Sequence, residues 1–173
     1  MLGAYDRAIF HFINSTLSNP LFDMAMPLVT RLGSGEFIFI MAIFIVLLSA
    51  PQKRLSGILL LAGLTACYFA AGFIKDSVAL PRPFISMSDV RLLIAGQSGF
   101  SFPSAHACNV FMAAAILTRF FNKDWLWYLL ATLVAFSRVY IGVHYPSDVL
   151  VGALLGMMIG YILLKIADKP KVS

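Results

Sequence analysis

Charged residues are scarce in this chain, and the scarcity limits what kind of protein it can be. Only 12% of its 173 residues are Asp, Glu, Lys or Arg, whereas 60% are hydrophobic. Soluble domains carry about 25% charged residues, so the composition argues against a soluble globule. The mean hydropathy of +0.88 agrees with this. A charge-free run of 20 residues, from position 55 to position 74, is long enough for a helix to cross a bilayer. We therefore expect a helical membrane protein.

Cysteine is scarce as well, and the sequence contains no glycine-rich phosphate loop. Cys67 and Cys108 both fall inside apolar segments, and their separation supports neither a disulfide framework nor a metal site, so we expect buried free thiols. The lack of a GxxxxGK pattern argues against a nucleotide-hydrolysing enzyme. The basic residues behind the net charge of +5 form no long run, so no nucleic-acid partner is expected.

The N-terminal segment is too polar to cross a membrane. Residues 4–17 (AYDRAIFHFINSTL) mix apolar and polar side chains at helical spacing, which is typical of an amphipathic helix lying in the membrane interface. His11 is expected there as an interfacial side chain with a solvated tip. The chain does not begin with a basic region followed by an apolar core. We therefore expect no cleavable signal peptide, and insertion directed by the first hydrophobic helix.

Five membrane spans are predicted after this helix, within a single domain of residues 1–173. The first begins at residue 26 or residue 36 and ends at residue 50, and the others cover residues 55–78, 104–120, 125–141 and 147–166. Residues 51–54 are predicted to form a short basic turn. Residues 80–102, rich in proline and serine, are predicted to form a loop, and Trp125 and Trp127 are expected to be interface anchors. The predicted fold class is an all-α polytopic transmembrane helix bundle.

Basic residues at the span ends predict the orientation of this bundle. They fall at every second crossing, all on one side: Lys53, Arg54, Arg119, Lys123, Lys165, Lys169 and Lys171. The positive-inside rule makes that side cytoplasmic. Residues 80–102 and the junction between the last two spans then face the opposite side. In a bacterial inner membrane, that side is the periplasm.

Ionisable residues return in one stretch of the sequence, residues 137–148, which contains Arg138, His144 and Asp148. Ionisable groups at membrane depth are costly and indicate a functional site. A carboxylate four residues after a histidine can orient the imidazole and raise its basicity. An arginine nearby supplies a planar fork of donors that suits phosphate or carboxylate.

Two other segments bring polar residues to the same side of the membrane. Lys75 lies near the end of the second span, Arg82 follows that span, and Ser104 and His106 begin the third. Three cations, counting Arg138, have too few carboxylates nearby to neutralise them, so an anion of about two charges is the natural partner. Ser104 is a predicted helix N-cap, and the helix N-terminus is suited to an anion. Two histidines could then flank one phosphate, one attacking it and the other protonating the leaving group.

Each of these residues also has a plainer interpretation. His144 and Asp148 could form a structural pair, His106 could make an ordinary hydrogen bond, and Lys75 and Arg138 could be snorkelling interface residues. Arg82 could be a loop cation. Their joint type, spacing and sidedness favour a functional site.

Two other groups of residues are assigned outside this site. Asp89, Arg91 and Gln97 are expected to be solvated loop residues, although they could read a lipid head group. The repeat of Gly152, Gly156 and Gly160 predicts close helix packing. We expect this packing inside the bundle, with a dimer interface as the alternative. The oligomeric state stays open.

Together the three segments resemble the type 2 phosphatidic acid phosphatase superfamily, which shares its site with the vanadium haloperoxidases. That family carries a Lys separated by six residues from Arg-Pro, then Pro-Ser-Gly-His, then Ser-Arg-x5-His-x3-Asp. The chain has Lys75…Arg82-Pro83, Pro103-Ser104-Ala105-His106 and Ser137-Arg138…His144…Asp148 in the same order and spacing. The resemblance covers residues 55–166 and leaves the first 50 residues unmatched. Ala105 stands where the family usually has Gly, so its methyl could crowd the phosphate or require a different φ.

The resemblance implies a role for each matching residue. His144 would be the nucleophile that forms a phosphohistidine, Asp148 would orient it, and His106 would be the general acid. The residues expected to hold the phosphoryl oxygens are Lys75, Arg82, Ser104, Ala105 through its backbone N–H, and Arg138. The resemblance implies neither a metal nor a cofactor.

The implied reaction removes phosphate from a membrane lipid at the periplasmic face. Candidate substrates are lipid A 1-phosphate, undecaprenyl pyrophosphate and phosphatidylglycerophosphate, with specificity expected in residues 80–102 and the N-terminal segment. Three alternatives stay open. The phosphohistidine could be resolved by an acceptor other than water, which would make the protein a phosphotransferase. The cations could instead serve a non-catalytic protein that binds or translocates phospholipid, or the histidines could bind haem.

Overall fold

A computed structural model of the chain describes residues 3–95, 97–122 and 124–168. Most of these residues are helical, and none of them forms a strand. The helices are α1 (Ala4–His11), α2 (Pro20–Val29), α3 (Gly35–Leu48), α4 (Pro51–Val78), α5 (Pro83–Ser86), α6 (Ala105–Phe120), α7 (Asp124–Tyr140) and α8 (Pro146–Ala167), with a π-helical turn over Phe12–Thr16 and a 3-10 turn over Thr30–Gly33. The predicted all-α class is confirmed.

The helices differ in whether they are long and apolar enough to cross a membrane. Two segments are long and apolar enough: Pro51–Ser86, which contains α4, and Pro146–Ala167, which is α8. The segments Pro20–Gly33 and Gly35–Leu48 pass the same test only as a pair, with a bend of 56° between them. Helix α6 is apolar but shorter. Length and composition thus support two or three spans, and the number five stays a prediction.

The predicted basic turn over residues 51–54 is wrong, because these residues form the first turn of α4. Pro51 lies in the first helical turn, where its fixed φ suits the helix and its missing N–H costs nothing. The Lys53 amide donates to the carbonyl of Ala50 at 2.8 Å, which closes that turn. The other end agrees with the sequence prediction. Helix α4 ends at Val78, and Ala79 takes a left-handed φ of 49°.

Helix α6 lies at the centre of the bundle and packs against α4, α7 and α8. Its contact with α8 uses the glycine repeat. A Cβ at Gly156 would run into the carbonyl oxygen of Cys108, and one at Gly160 would lie 3.0 Å from the carbonyl oxygen of Met112. The predicted packing inside the bundle is confirmed. Cys67 and Cys108 are buried and free, as the sequence predicts.

Helices α3 and α4 touch at one end and separate at the other. Near the start of α4, a Cβ at Gly57 would lie 2.7 Å from the carbonyl oxygen of Ala42 and from the side chain of Val46. Towards the other end, Gly35 and Gly72 have no atom within 4 Å of a Cβ position. The gap is a groove of about 820 Å³ lined by Gly35, Glu36, Phe39, Ile40, Leu64, Thr65, Tyr68, Ala71, Gly72, Lys75, Ala105 and Asn109. We call it the α3–α4 groove.

The N-terminal segment forms the predicted helix and is attached to the rest of the bundle. Asp6 accepts hydrogen bonds from the amide and the hydroxyl of Ser147, at 2.9 and 2.6 Å, at the start of α8. Asn14 is fully buried and donates to the carbonyl oxygens of Arg91 and Tyr140 at 2.9 and 2.7 Å. These bonds fix α1 over the end of the bundle where α8 begins.

Basic residues gather at the opposite end of the bundle. The ammonium group of Lys53 lies 4.6 Å from the centre of the Phe121 ring, and Arg119 lies 3.9 Å from the carboxylate of Asp168. These contacts bring the start of α4 together with the ends of α6 and α8, as the charge pattern predicts. Lys123, Lys169 and Lys171, which contribute to the same pattern, lie outside the described residues.

Candidate active site

The turn between α7 and α8 brings His144 against Asp148. Gly142, with φ of 87°, turns the chain after α7, and α8 begins at Pro146. The carboxylate of Asp148 then caps its own helix, since Oδ2 accepts from the amide of Tyr145 at 2.9 Å. The same oxygen lies 3.2 Å from Nδ1 of His144. Both side chains are buried, at 2% and 0% exposure.

A third side chain completes this pair. The hydroxyl of Ser101 donates to Oδ2 of Asp148 and lies 3.3 Å from Nδ1 of His144. Oδ1 of Asp148 is buried and has no hydrogen-bond partner among the described residues. All the hydrogen bonds that the carboxylate accepts from described residues therefore fall on one oxygen.

Arg82 lies at the opposite edge of the His144 ring, next to Nε2. One guanidinium nitrogen, Nη1, lies 3.3 Å from Nε2 of His144 and donates to the carbonyl oxygen of Val143 at 3.1 Å. The remaining N–H groups of Arg82 donate to the carbonyl oxygens of Gly99 and Ser98, each at 3.0 Å. Arg82 is only 6% exposed, so its charge is held against the ring.

Lys75 and Arg138 are held by the same stretch of chain as Arg82. The ammonium group of Lys75 donates to the carbonyl oxygens of Phe100 and Ser101 at 2.7 and 3.3 Å. Arg138 donates to the side-chain oxygen of Gln97 at 3.0 Å. Residues 97–101 thus supply hydrogen-bond acceptors to all three candidate phosphate-binding cations, and the hydroxyl of Ser101 reaches the His–Asp pair.

Arg138 is also bonded to the segment that carries no family motif. Its Nη1 donates to the hydroxyl of Thr30 at 2.8 Å, in the 3-10 turn at the bend between α2 and α3. Thr30 and Arg138 are 4% and 1% exposed. The Nε atom of Arg138 is buried without a hydrogen-bond partner among the described residues. A buried donor of this kind is costly to leave unpaired, so it suits an anionic ligand.

The N-terminus of α6 faces the same region. Ser104 caps the helix as predicted, accepting from the amide of Ala107 at 3.4 Å, and its own amide donates to the carbonyl oxygen of Asp148 at 2.9 Å. Ala105 lines the α3–α4 groove together with Lys75. It is the first residue of α6 and has no positive φ, so the substitution for Gly introduces no backbone strain there.

His106, in the first turn of α6, is surrounded by the other ionisable groups of the site. The cations that lie near its ring are Arg138, Arg82 and Lys75, and the imidazole of His144 lies near it as well. The structure therefore gathers all the residues singled out in the three sequence motifs at one end of the bundle.

The electrostatics of this site favour a neutral His144. Burial of the ring, together with the positive charges of Arg138, Arg82 and Lys75, holds the pKa of the His144 imidazole well below its ordinary value. Burial and neighbouring cations both disfavour the charged form of a histidine. A neutral ring with its proton on Nδ1, towards Asp148, keeps a lone pair on Nε2 and can act as a nucleophile.

The prediction that loop residues 91 and 97 are merely solvated is wrong. Arg91 donates to Asp23 at 2.7 Å and to the backbone oxygen of Asn14 at 3.0 Å, and Gln97 bonds Arg138. Both side chains make hydrogen bonds within the chain, because the loop folds back over the bundle. Asp89 is exposed and lies 3.5 Å from the ring of His11. Sequence reasoning assigned no role to Ser101 or Thr30 and placed Gln97 outside the site, since none of them belongs to a spaced motif.

Comparison with known proteins supplies the family. The sequence profile of the PAP2 superfamily matches residues 56–171. The chain belongs to the PAP2 superfamily. The resemblance predicted from the three motifs is thereby confirmed, and the profile begins within one residue of the predicted start.

Similar curated PAP2 proteins include membrane lipid phosphatases. The chain is 28% identical to a lipid A 4'-phosphatase of Porphyromonas gingivalis over 171 residues, which cover 93% of this chain and 72% of the relative. It is 34% identical to an undecaprenyl-diphosphatase of Sulfolobus acidocaldarius over 123 residues, covering 69% of this chain and 59% of the relative. The chain spans between 38% and 59% of the length of the first relatives that it matches. Both relatives are phosphatases by name.

Solved PAP2 structures share the fold. The crystal structure of Aquifex aeolicus LpxE matches with a TM-score of 0.82 and 30% identity, over 94% of this chain and 96% of that one. A transmembrane PAP2 type phosphatidylglycerolphosphate phosphatase of Bacillus subtilis matches with a TM-score of 0.80 and 27% identity, over 98% and 87% of the two chains. Because these matches cover nearly the whole chain, the N-terminal helices belong to the shared fold. The protein is a membrane protein.

Proposed function

We propose that this protein removes phosphate from a membrane lipid phosphate or pyrophosphate through a phosphohistidine on His144. The observation that carries the proposal is the environment of that ring. Nδ1 faces Asp148 at 3.2 Å, whereas Nε2 faces Arg82 at 3.3 Å. The nucleophilic nitrogen thus points to the cationic side of the site, where a phosphoryl group would be held.

The proposed chemistry has two steps. In the first, the Nε2 lone pair of His144 forms a bond to phosphorus while the bond from phosphorus to the lipid oxygen breaks, and that oxygen takes a proton from His106. In the second, water attacks the phosphohistidine and gives a proton to His106, the P–N bond breaks, and inorganic phosphate leaves with both histidines restored. Asp148 stabilises the positive charge that develops on the His144 ring. The phosphoryl oxygens would be bound by Lys75, Arg82, Ser104, Arg138 and the backbone N–H of Ala105.

The α3–α4 groove supports a lipid substrate. Its lining is mostly apolar, and it reaches the site at Lys75 and Ala105. Along α4, its lining extends from Leu64 to Lys75, about 16 Å at the usual helical rise. Phe39, Ile40 and Tyr68 on its walls are exposed, so the groove opens sideways towards the lipid. A substrate could keep its hydrocarbon chain in the bilayer while its phosphate reaches the cations.

The substrate class follows from these features and from the relatives. We propose lipid A 1-phosphate, undecaprenyl pyrophosphate or phosphatidylglycerophosphate, handled by a single catalytic domain. The reaction would occur at the periplasmic face of a bacterial inner membrane, because the site lies at the end of the bundle opposite the basic residues.

The test is phosphate release by detergent-purified protein with a chelator present, offering each of the three lipids in turn. His144→Ala is expected to abolish release, whereas His11→Ala, a histidine outside the site, is expected to leave it unchanged. Wild-type protein denatured in detergent at alkaline pH, where the P–N bond survives, should carry phosphate on histidine and lose it on acidification. Equal release by His144→Ala and wild type would refute the mechanism. Release that requires an added lipid or sugar acceptor would indicate a phosphotransferase instead.

A further inference from the structure

We propose that Ser101 is a positioning residue that sets the basicity and the orientation of the His144–Asp148 pair. The inference rests on the proposed phosphatase reaction. Ser101 lies outside the three sequence motifs, yet its side chain is fully buried and contacts both members of the pair. Its hydroxyl donates to Oδ2 of Asp148 and lies 3.3 Å from Nδ1 of His144.

The hydroxyl competes with His144 for one carboxylate oxygen. Oδ2 of Asp148 accepts from the Ser101 hydroxyl and from the Tyr145 amide at 2.9 Å. Nδ1 of His144 lies 3.2 Å from the same oxygen. Oδ1 has no partner among the described residues to share this load. Each donor on a carboxylate stabilises its negative charge and makes it a weaker acceptor for the others. The Ser101 hydroxyl therefore moderates the pull of Asp148 on the Nδ1 proton.

The backbone holds the hydroxyl in this position. The Ser101 amide donates to the carbonyl oxygen of Leu80 at 2.7 Å, and the Ser101 carbonyl accepts from Lys75 at 3.3 Å. One residue thus joins a candidate phosphate-binding cation to the catalytic pair. The Ser101 hydroxyl can rotate, but its polar neighbours are Oδ2 of Asp148 and Nδ1 of His144. With the proton of His144 on Nδ1, only Oδ2 can accept the hydroxyl proton.

Removing the hydroxyl leaves the other charges around His144 in place. Those charges come from Lys75 on α4, Arg82 after α4 and Arg138 on α7, and from the Asp148 carboxylate on α8, with His106 facing the site from α6. With one donor fewer, Asp148 would stabilise the protonated ring more strongly. Because the nucleophile must be neutral, the acid limb of the pH–rate profile is expected to move to higher pH.

The experiment compares kcat and KM across pH for wild type, Ser101→Ala and Ser98→Ala. Ser98 is the matched control, because it is exposed and uses only its backbone carbonyl. For Ser101→Ala we expect kcat to fall about ten- to a hundredfold, with the acid limb shifted upwards by about one pH unit. Ser98→Ala should keep the wild-type profile. A Ser101→Ala protein with an unshifted acid limb would overturn the inference.

A second variant covers the case in which Ser101→Ala does not fold. Ser101→Cys keeps the side-chain shape but offers only a weak S–H donor, so it should shift the limb in the same direction. An unshifted profile in Ser101→Cys would also overturn the inference. A wild-type protein that releases no phosphate from any lipid would overturn the proposed function, and this inference with it, whereas failure of the Ser101 variants alone leaves the proposed function intact.

Discussion

Arg82 and His144 are in direct contact, with Nη1 of the guanidinium 3.3 Å from Nε2 of the ring. With the ring neutral and its proton on Nδ1, Nε2 accepts a hydrogen bond from Arg82. A phosphoryl oxygen between them could take over that N–H and leave the lone pair free. Arg82 would then have two roles: it binds the phosphoryl group of the substrate, and before the substrate arrives it donates a hydrogen bond to the nucleophilic nitrogen.

This contact predicts the effect of Arg82→Lys. Lysine keeps the charge but lacks the planar fork that reaches Gly99, Ser98 and His144 together. We expect kcat to fall about 10²–10³-fold, as for loss of one preorganised donor, measured by phosphate release. Arg54→Lys, at the start of α4 and far along that helix from the site, is the control. A wild-type kcat in Arg82→Lys would contradict the assignment.

The α3–α4 groove can be blocked without touching the site. Gly72 lines it and has open space at its Cβ position, so Gly72→Phe should fill it with a ring. Hydrolysis of a long-chain lipid is expected to fall about tenfold or more, because its chain loses an apolar pocket. A small water-soluble phosphomonoester should be hydrolysed as before. Phe73→Trp, on the neighbouring exposed position, is the control. Equal losses on both substrates would mean that the groove does not take the chain.

The buried Asn14 predicts a stability effect away from the site. It donates to the carbonyl oxygens of Arg91 and Tyr140 and accepts from the Arg91 amide at 2.9 Å. Asn14→Ala leaves these groups unpaired, which should lower the free energy of unfolding by about 1–3 kcal/mol. Thermal unfolding in detergent, with the exposed Asn122→Ala as control, would measure this. An unchanged midpoint would show that water replaces the side chain.

The contact between α6 and α8 predicts opposite outcomes for two glycines. Gly156→Ala would place a methyl group against the Cys108 carbonyl, whereas Gly35→Ala meets no atom within 4 Å. Overpacking of this kind costs about 1–3 kcal/mol, so Gly156→Ala should unfold at a lower temperature and Gly35→Ala should not. Equal midpoints for the two variants would mean that α8 can move away from α6.

Much of the fold could be read from the sequence because apolar runs and helix caps are local signals. Ser104 was predicted as a cap and is one, and α4 ends at the predicted residue 78. The motif residues could be grouped because their spacing matches a family. The bend between α2 and α3 could not be placed to the residue, since Pro27, Arg31 and the glycines at 33 and 35 all interrupt the apolar pattern there; in the structure α3 restarts at the Ser34 N-cap.

The parts that sequence reasoning missed depend on backbone contacts. Gln97 and Ser101 act in the site because residues 97–101 pass beside three cations, and four of the acceptors there are main-chain carbonyls. Every residue type has a main-chain carbonyl, so the amino-acid sequence does not indicate which carbonyls will bind the cations. Arg91 looked solvated because its partner Asp23 lies 68 positions away in the chain.

The helices α6 and α8 are closely packed along the glycine repeat, whereas α3 and α4 are separated by a groove. The backbone amide of Ser104 donates to the carbonyl oxygen of Asp148 across this contact at 2.9 Å, so the starts of the two helices that frame the site are joined directly. A change in bilayer thickness or lateral pressure would widen or narrow the gap and leave that frame unaltered. The surrounding lipid would thus govern how often a substrate is captured, while the speed of the chemical step stays the same.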